Sequence, residues 1–194
     1  MNILLQIWGG GFYLLSKILL SRAQGKADNK SLKIGGWVFY LLGVPAWFIL
    51  LATRQDWMAA TIEVGGIPSM LLGLFIAVKG LKTVPTKLDR IAMGFSYVML
   101  FIGVGYSIHE YNGIRTLSQI LEIGVIVGFL SGTYLLAKEN RSGWLFFMVM
   151  NISMALLMLM RGNLILTAQQ IVSLYFIWQG YRRSSISFPK EEPL

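Results

Sequence analysis

Seven apolar segments, at residues 3–20, 34–53, 58–81, 88–108, 117–137, 144–160 and 164–181, follow one another along the chain with short polar connections. A helix needs roughly 20 residues to cross a hydrocarbon core, and each segment is close to that length. Lipid offers backbone groups no partner, so each span must satisfy its own N–H and C=O groups. The chain is therefore predicted to be an all-α integral membrane protein with the bilayer as its solvent. Composition points the same way: 55% of the residues are hydrophobic and 13% charged, against roughly 25% charged in soluble domains.

Several functions are excluded early. The chain has no cysteine, so a disulfide framework, a thiolate metal site and a cysteine nucleophile are ruled out. The one histidine, His109, has no second histidine or cysteine near it, which argues against a transition-metal site. With Glu110 it reads as a solvated helix end. No Ser–His–Asp set, metal motif or phosphate loop is visible, so neither an enzyme nor a cofactor is expected.

The formal charge of +8 could suggest nucleic acid, but the basic residues lie between the apolar runs. Arg22, Lys26, Lys30, Lys33, Lys79, Lys82, Lys87, Arg90, Lys138, Arg141, Arg182, Arg183 and Lys190 fall on one side, thirteen in all, against Arg54, Arg115 and Arg161 on the other. Positive residues stay in the cytoplasm. This places the N-terminus outside and the C-terminus inside a cell (inner) membrane, with an odd number of spans. Lys17 lies within the first span near its cytoplasmic end. That span lacks a basic leader and a small-residue cleavage site, so it is not read as a signal peptide.

The chain also aligns with itself. An offset of 107 pairs Gly36-Trp37 with Gly143-Trp144, Phe39 with Phe146, Arg54 with Arg161, Glu63 with Gln170 and Gly73 with Gly180. An offset of 116 pairs Gln6 with Glu122 and Leu19-Leu20 with Leu135-Leu136. The expected organisation is 3+1+3: a three-helix bundle at 1–82, a linker helix at 83–112, a second bundle at 113–183 and a disordered cytoplasmic tail at 184–194. Both halves start outside, so they are parallel, and parallel repeats are a transporter architecture with the substrate between the halves.

Polar residues inside the spans are the candidate site, because an ionisable group in lipid is costly. Glu63, Glu122, Gln170 and Gln6 are expected at matching depths, roughly 8–10 Å below the outer surface. Asn151 sits mid-span with two donors and an acceptor. Gln170 and Ser173 share a helix face in a stripe that includes Thr167 and Gln169. Trp47, also mid-span, offers a π-face to a flat cation. Pro45 and Pro68 are expected to kink their helices. Trp37, Trp57 and Trp144 sit at the membrane boundaries, where aromatic anchors belong.

The stretch "LEIGVIVGFLSGTYLLAKENRSGWLFFMVMN" and the later "LTAQQIVSLYFIWQGYRR" resemble the nicotinamide riboside (Pnu-type) vitamin transporters, which have a SWEET-like fold. The resemblance implies facilitated uptake of a vitamin, nicotinamide riboside foremost, trapped afterwards by a cytoplasmic kinase. It also implies helix faces that carry Trp144, Asn151, Gln170 and Tyr175 toward the substrate. Phe147 and Met148 stand where a second tryptophan would accompany Trp144, and Ala168 precedes Gln169 in place of the proline of PQ-loop relatives. Thiamine or another vitamin, and a neutral sugar, stay open as substrates, as does homo-oligomerisation.

Overall fold

The computed structural model describes residues 3–24, 29–81 and 83–187, with side chains to residue 184. Among them all regular structure is helical, in the order α1 Ile3–Ala23, α2 Lys30–Thr53, α3 Trp57–Gly65, α4 Ile67–Lys79, α5 Thr86–Glu110, α6 Leu117–Ala137, α7 Ser142–Met160 and α8 Leu164–Ser187. Most of the tail proposed as disordered lies outside the described residues, and α8 runs on to Ser187.

Among the described residues six helices are long and apolar enough to cross a bilayer, with α3 and α4 together making one of them. The exception is α8. It is 24 residues long, but Thr167, Gln169, Gln170 and Ser173 lower its apolar character.

The third span is interrupted at a single residue, Gly66, whose backbone stays right-handed helical with φ −76° and ψ −19°. Helix α3 ends at Gly65, Gly66 is the junction, and α4 begins at Ile67 with Pro68 in its first turn. Proline has no N–H to give to the preceding turn, so it ends one helix and starts another. Gly66 also has no room for a side chain, because an added Cβ would lie 2.7 Å from the Phe129 ring. Pro45, by contrast, is carried within an unbroken α2.

Helix packing closes a ring. α1 lies on α2 and α8, α2 on α4, α4 on α6, α6 on α7, and α7 on α8. Helix α5 packs outside it on α3, α4 and α6, and is the least buried of the six apolar spans. Its Tyr97 and Phe101 face outward, as lipid-facing side chains do.

Residues 107 apart build the same local structures. Gln55 and Gly162, with φ of 58° and 70°, occupy the left-handed position that ends α2 and α7. Gln55 and Asp56 give N–H to Ala52 and Leu51, while Gly162 and Asn163 give theirs to Leu159 and Met158. Asp56 then accepts from the Ala59 N–H as Asn163 does from Leu166. Such C-cap bonds and an N-cap acceptor satisfy the orphan groups at helix ends. Deeper in, Trp37 lies on Gly73 and Trp144 on Gly180, while Gly36 and Gly143 receive Leu20 and Leu136.

The two ends of the bundle differ in charge. At one end Lys33 pairs with Glu139, Lys138 with Asp89 (3.1 Å), and the Arg141 guanidinium lies 4.0 Å from the Tyr181 ring centre. The Asp89 carboxylate, followed by the Tyr134 hydroxyl, holds Lys138 above the ordinary lysine range. The opposite end carries Arg54, Asp56, Glu110 and Arg161.

Candidate functional site

A cavity of about 760 Å³ starts among Arg54, Asp56, Trp57 and Arg161 and runs inward between α1, α2, α3, α5, α6, α7 and α8. That volume is in the range of ligand pockets. Its deepest lining residues are Tyr13, Lys17, Phe129 and Met150. Lys17 is fourteen residues along α1 from Ile3, or about 21 Å at 1.5 Å per residue.

Below these residues an aromatic layer fills the bundle. Tyr40 and Phe147 meet with ring centres 6.0 Å apart at 74°. Trp37 stacks on Tyr40 at 17°, and Trp144 meets Phe147 edge-on at 86°. All four rings are buried. The layer lies between the cavity lining and the lysine-rich end, and Lys33, Asp89, Lys138, Glu139 and Arg141 do not line the cavity.

The break in the third span positions Glu63. It lies in the last turn of α3, and its Oε1 is buried without a hydrogen-bond partner. Gln170 on α8 is likewise buried, with Oε1 unpartnered. Trp47 packs its indole against Gly9, and its Nε1 has no acceptor. Glu122 is paired with Arg161 at 3.2 Å. Each of these four candidates lines the cavity. Gln169 lines it too, with its amide given to the Gly10 carbonyl at 2.8 Å.

The other candidates sit elsewhere. Asn151 is fully buried and accepts from the Lys17 ammonium at 2.8 Å, while giving its own amide to the Phe147 carbonyl at 2.7 Å. Trp144 belongs to the aromatic layer, against Gly180. Ser173 is buried with an unpartnered Oγ, away from the cavity lining. Tyr175 is largely exposed and packs on Phe176. Gln6 is buried with Nε2 unpartnered but does not line the cavity, so the expected ring of four is represented there by Glu63, Glu122 and Gln170.

Two of the lining residues that were not among the candidates lie at the cavity's floor. Tyr13 is buried with its hydroxyl unpartnered, and Lys17 is 2% exposed. Lys17 had a sequence signal, an ionisable residue inside an apolar span. Tyr13 had none beyond its position one turn before Lys17.

A cavity of this size, with Glu63, Glu122, Gln169 and Gln170 in its wall, suits a polar organic solute. No family model matches the chain, and no curated protein and no solved structure matches it.

Proposed function

We propose that this protein is a membrane transporter that takes up a vitamin or nucleoside-like vitamin precursor by facilitated diffusion, with nicotinamide riboside as the foremost substrate. The observation that carries the reading is the cavity of about 760 Å³, lined from Arg54 and Arg161 at one end of the bundle to Lys17 beside a buried aromatic layer. An alternating-access carrier has such a space in its outward-facing state, with the layer as the closed inner gate.

In this reading the chain has seven spans, α8 being the last, arranged as two parallel three-helix units joined by α5. The equivalent caps and Trp–Gly contacts 107 residues apart support it. So does the place of α5 outside the ring. The lysine-rich end is cytoplasmic by the positive-inside rule. The carboxyl of Glu63, which has no ion-pair partner among the described residues, and the Trp47 indole favour a flat cationic ring over a neutral sugar. The break at Gly66 gives the third span a hinge, and rocking of one unit against the other would open the aromatic layer.

Titrating the purified protein with nicotinamide riboside, thiamine, riboflavin and glucose tests the proposal. Trp47 and Trp57 line the cavity, so their fluorescence reports occupancy. Saturable quenching by nicotinamide riboside is expected, with no response to glucose. A response to glucose alone would overturn the vitamin reading.

A further inference from the structure

Lys17 is a buried amine that the proposed chemistry leaves unused. Among the described residues it donates one hydrogen bond, to Asn151 Oδ1. The ion pairs there are Lys33–Glu139, Lys138–Asp89 and Arg161–Glu122, so no carboxylate neutralises Lys17. An ammonium carries three donors, and two of them remain for another partner. Burying such a charge without a counter-ion is costly. A ligand that brings the anion would offset that cost.

The surroundings of Lys17 select the anion. Tyr13 lies one turn earlier on the same face of α1, and its ring centre is 6.2 Å from that of Trp47. The Tyr13 hydroxyl and Trp47 Nε1 are both buried without partners and both line the cavity. The side chains of Lys17, Tyr13 and Trp47 thus share its floor with the apolar Phe129 and Met150. A carboxylate has two oxygens and about four acceptor sites, enough for all three donors. A carboxamide offers one oxygen and turns its own N–H groups toward an ammonium. A phosphate carries more charge than one lysine balances.

We propose that the floor of the cavity is a carboxylate-binding site, with Lys17 as counter-ion and Tyr13 and Trp47 as flanking donors. Asn151 positions Lys17 by holding its ammonium toward the cavity. The solute then enters acid end first. Its other end meets the unpartnered acceptors of Glu63 and Gln170, which suit a cationic ring or an N–H group. Among flat cationic rings the floor would therefore hold one that bears a carboxylate, a small zwitterion, more tightly than nicotinamide riboside, which bears a carboxamide there. The second pole rests on the transport reading above, whereas the carboxylate floor stands without it.

Calorimetric titration of the full-length protein in micelles tests this with two matched pairs: 1-methylnicotinate against 1-methylnicotinamide, and benzoate against benzamide. Within each pair the acid is expected to bind about 10- to 100-fold more tightly, as for a charged hydrogen bond. Lys17→Met should bring the ratio near one, while Lys17→Arg should keep much of it. If Lys17→Met does not fold, Tyr13→Phe and Trp47→Phe serve instead, each narrowing the ratio several-fold. Equal binding of acid and amide, no binding of either acid, or an unchanged ratio in the variants overturns the proposal. A benzoate preference without binding of either pyridinium keeps the carboxylate floor and removes the cationic-vitamin reading. Tight binding of both pyridinium compounds with no acid preference does the reverse.

Discussion

Alanine at Gly73 or Gly180 should destabilise the bundle, while alanine at Gly94 should not. An added Cβ would lie 2.3 Å from Trp37 Cε2 at Gly73, and 2.7 Å from Trp144 Cη2 at Gly180. Ordinary carbon contacts are about 3.5–4.0 Å, so each indole must shift by about 1 Å. Neither can do so freely, because Trp37 is buried against Tyr40 and Trp144 against Phe147. Overpacking of this kind costs about 1–3 kcal/mol, and replacing a mid-helix glycine returns roughly 0.5–1 kcal/mol. The net loss is then about 0–2.5 kcal/mol, larger at Gly73 where the overlap is closer. At Gly94, exposed on α5, nothing lies within 4 Å of the added atom, so Gly94→Ala should gain up to about 1 kcal/mol. Thermal unfolding in detergent, followed by near-UV circular dichroism, measures all three variants. Trp37→Phe should restore part of the stability lost in Gly73→Ala. If Gly73→Ala and Gly180→Ala stabilise as much as Gly94→Ala, the indoles are not packed on these glycines and the equivalence of the two contacts is lost.

Asn151→Leu leaves the Lys17 ammonium without its one hydrogen-bond partner, and should cost about 1–3 kcal/mol of thermal stability. The double variant Lys17→Met/Asn151→Leu should recover much of it, and a double-mutant cycle with no coupling would show the bond to be energetically idle. Cysteines at Lys30 and Lys87 should react with an impermeant reagent only in opened membranes, and one at Asn112 in intact cells; labelling of all three from outside contradicts the seven-span topology. The raised Lys138 pKa has a defined sign: its contribution is complete below the ordinary lysine value and is lost as pH rises through the higher folded value. The Tm difference between wild type and Asp89→Asn should therefore hold from neutrality to about pH 10 and shrink above it. A difference that vanishes near pH 7 would show that the pair does not set it.

The sequence carried the repeated local structure because that structure is made by short-range chemistry. Helix caps, Gly–Trp contacts and left-handed turns each need a particular residue at a fixed spacing, so Arg54-Gln55-Asp56 and Arg161-Gly162-Asn163 build the same turn. Glu63, Glu122, Gln170 and Trp47 could be picked out as costly or unusual residues within lipid, and they share one cavity. Lys17 read as another positive charge of the inner end, since lysines near span ends commonly reach for the interface. Its partner Asn151 lies 134 residues away, and no spacing rule encodes that bond. Asn151 alone offered hydrogen-bonding capacity without saying who would use it. Pro68 announced a disturbance of the third span, but its form as two helices depends on Gly66 lying against Phe129 of α6, a contact that local sequence does not contain. Tyr175, at a helical position the resemblance made important, faces outward because that side of α8 lies away from its neighbours.

Uptake into proteoliposomes tests the account most directly. Purified protein reconstituted without any kinase should admit labelled nicotinamide riboside until internal and external concentrations are equal, and an excess of unlabelled solute inside should accelerate entry by exchange. Glu63→Gln and Trp47→Ala, both in the cavity wall, should slow that entry while the protein remains folded. Uptake no faster than into protein-free vesicles, for nicotinamide riboside and for every vitamin and carboxylated analogue tried, would contradict the claim that this cavity belongs to a carrier.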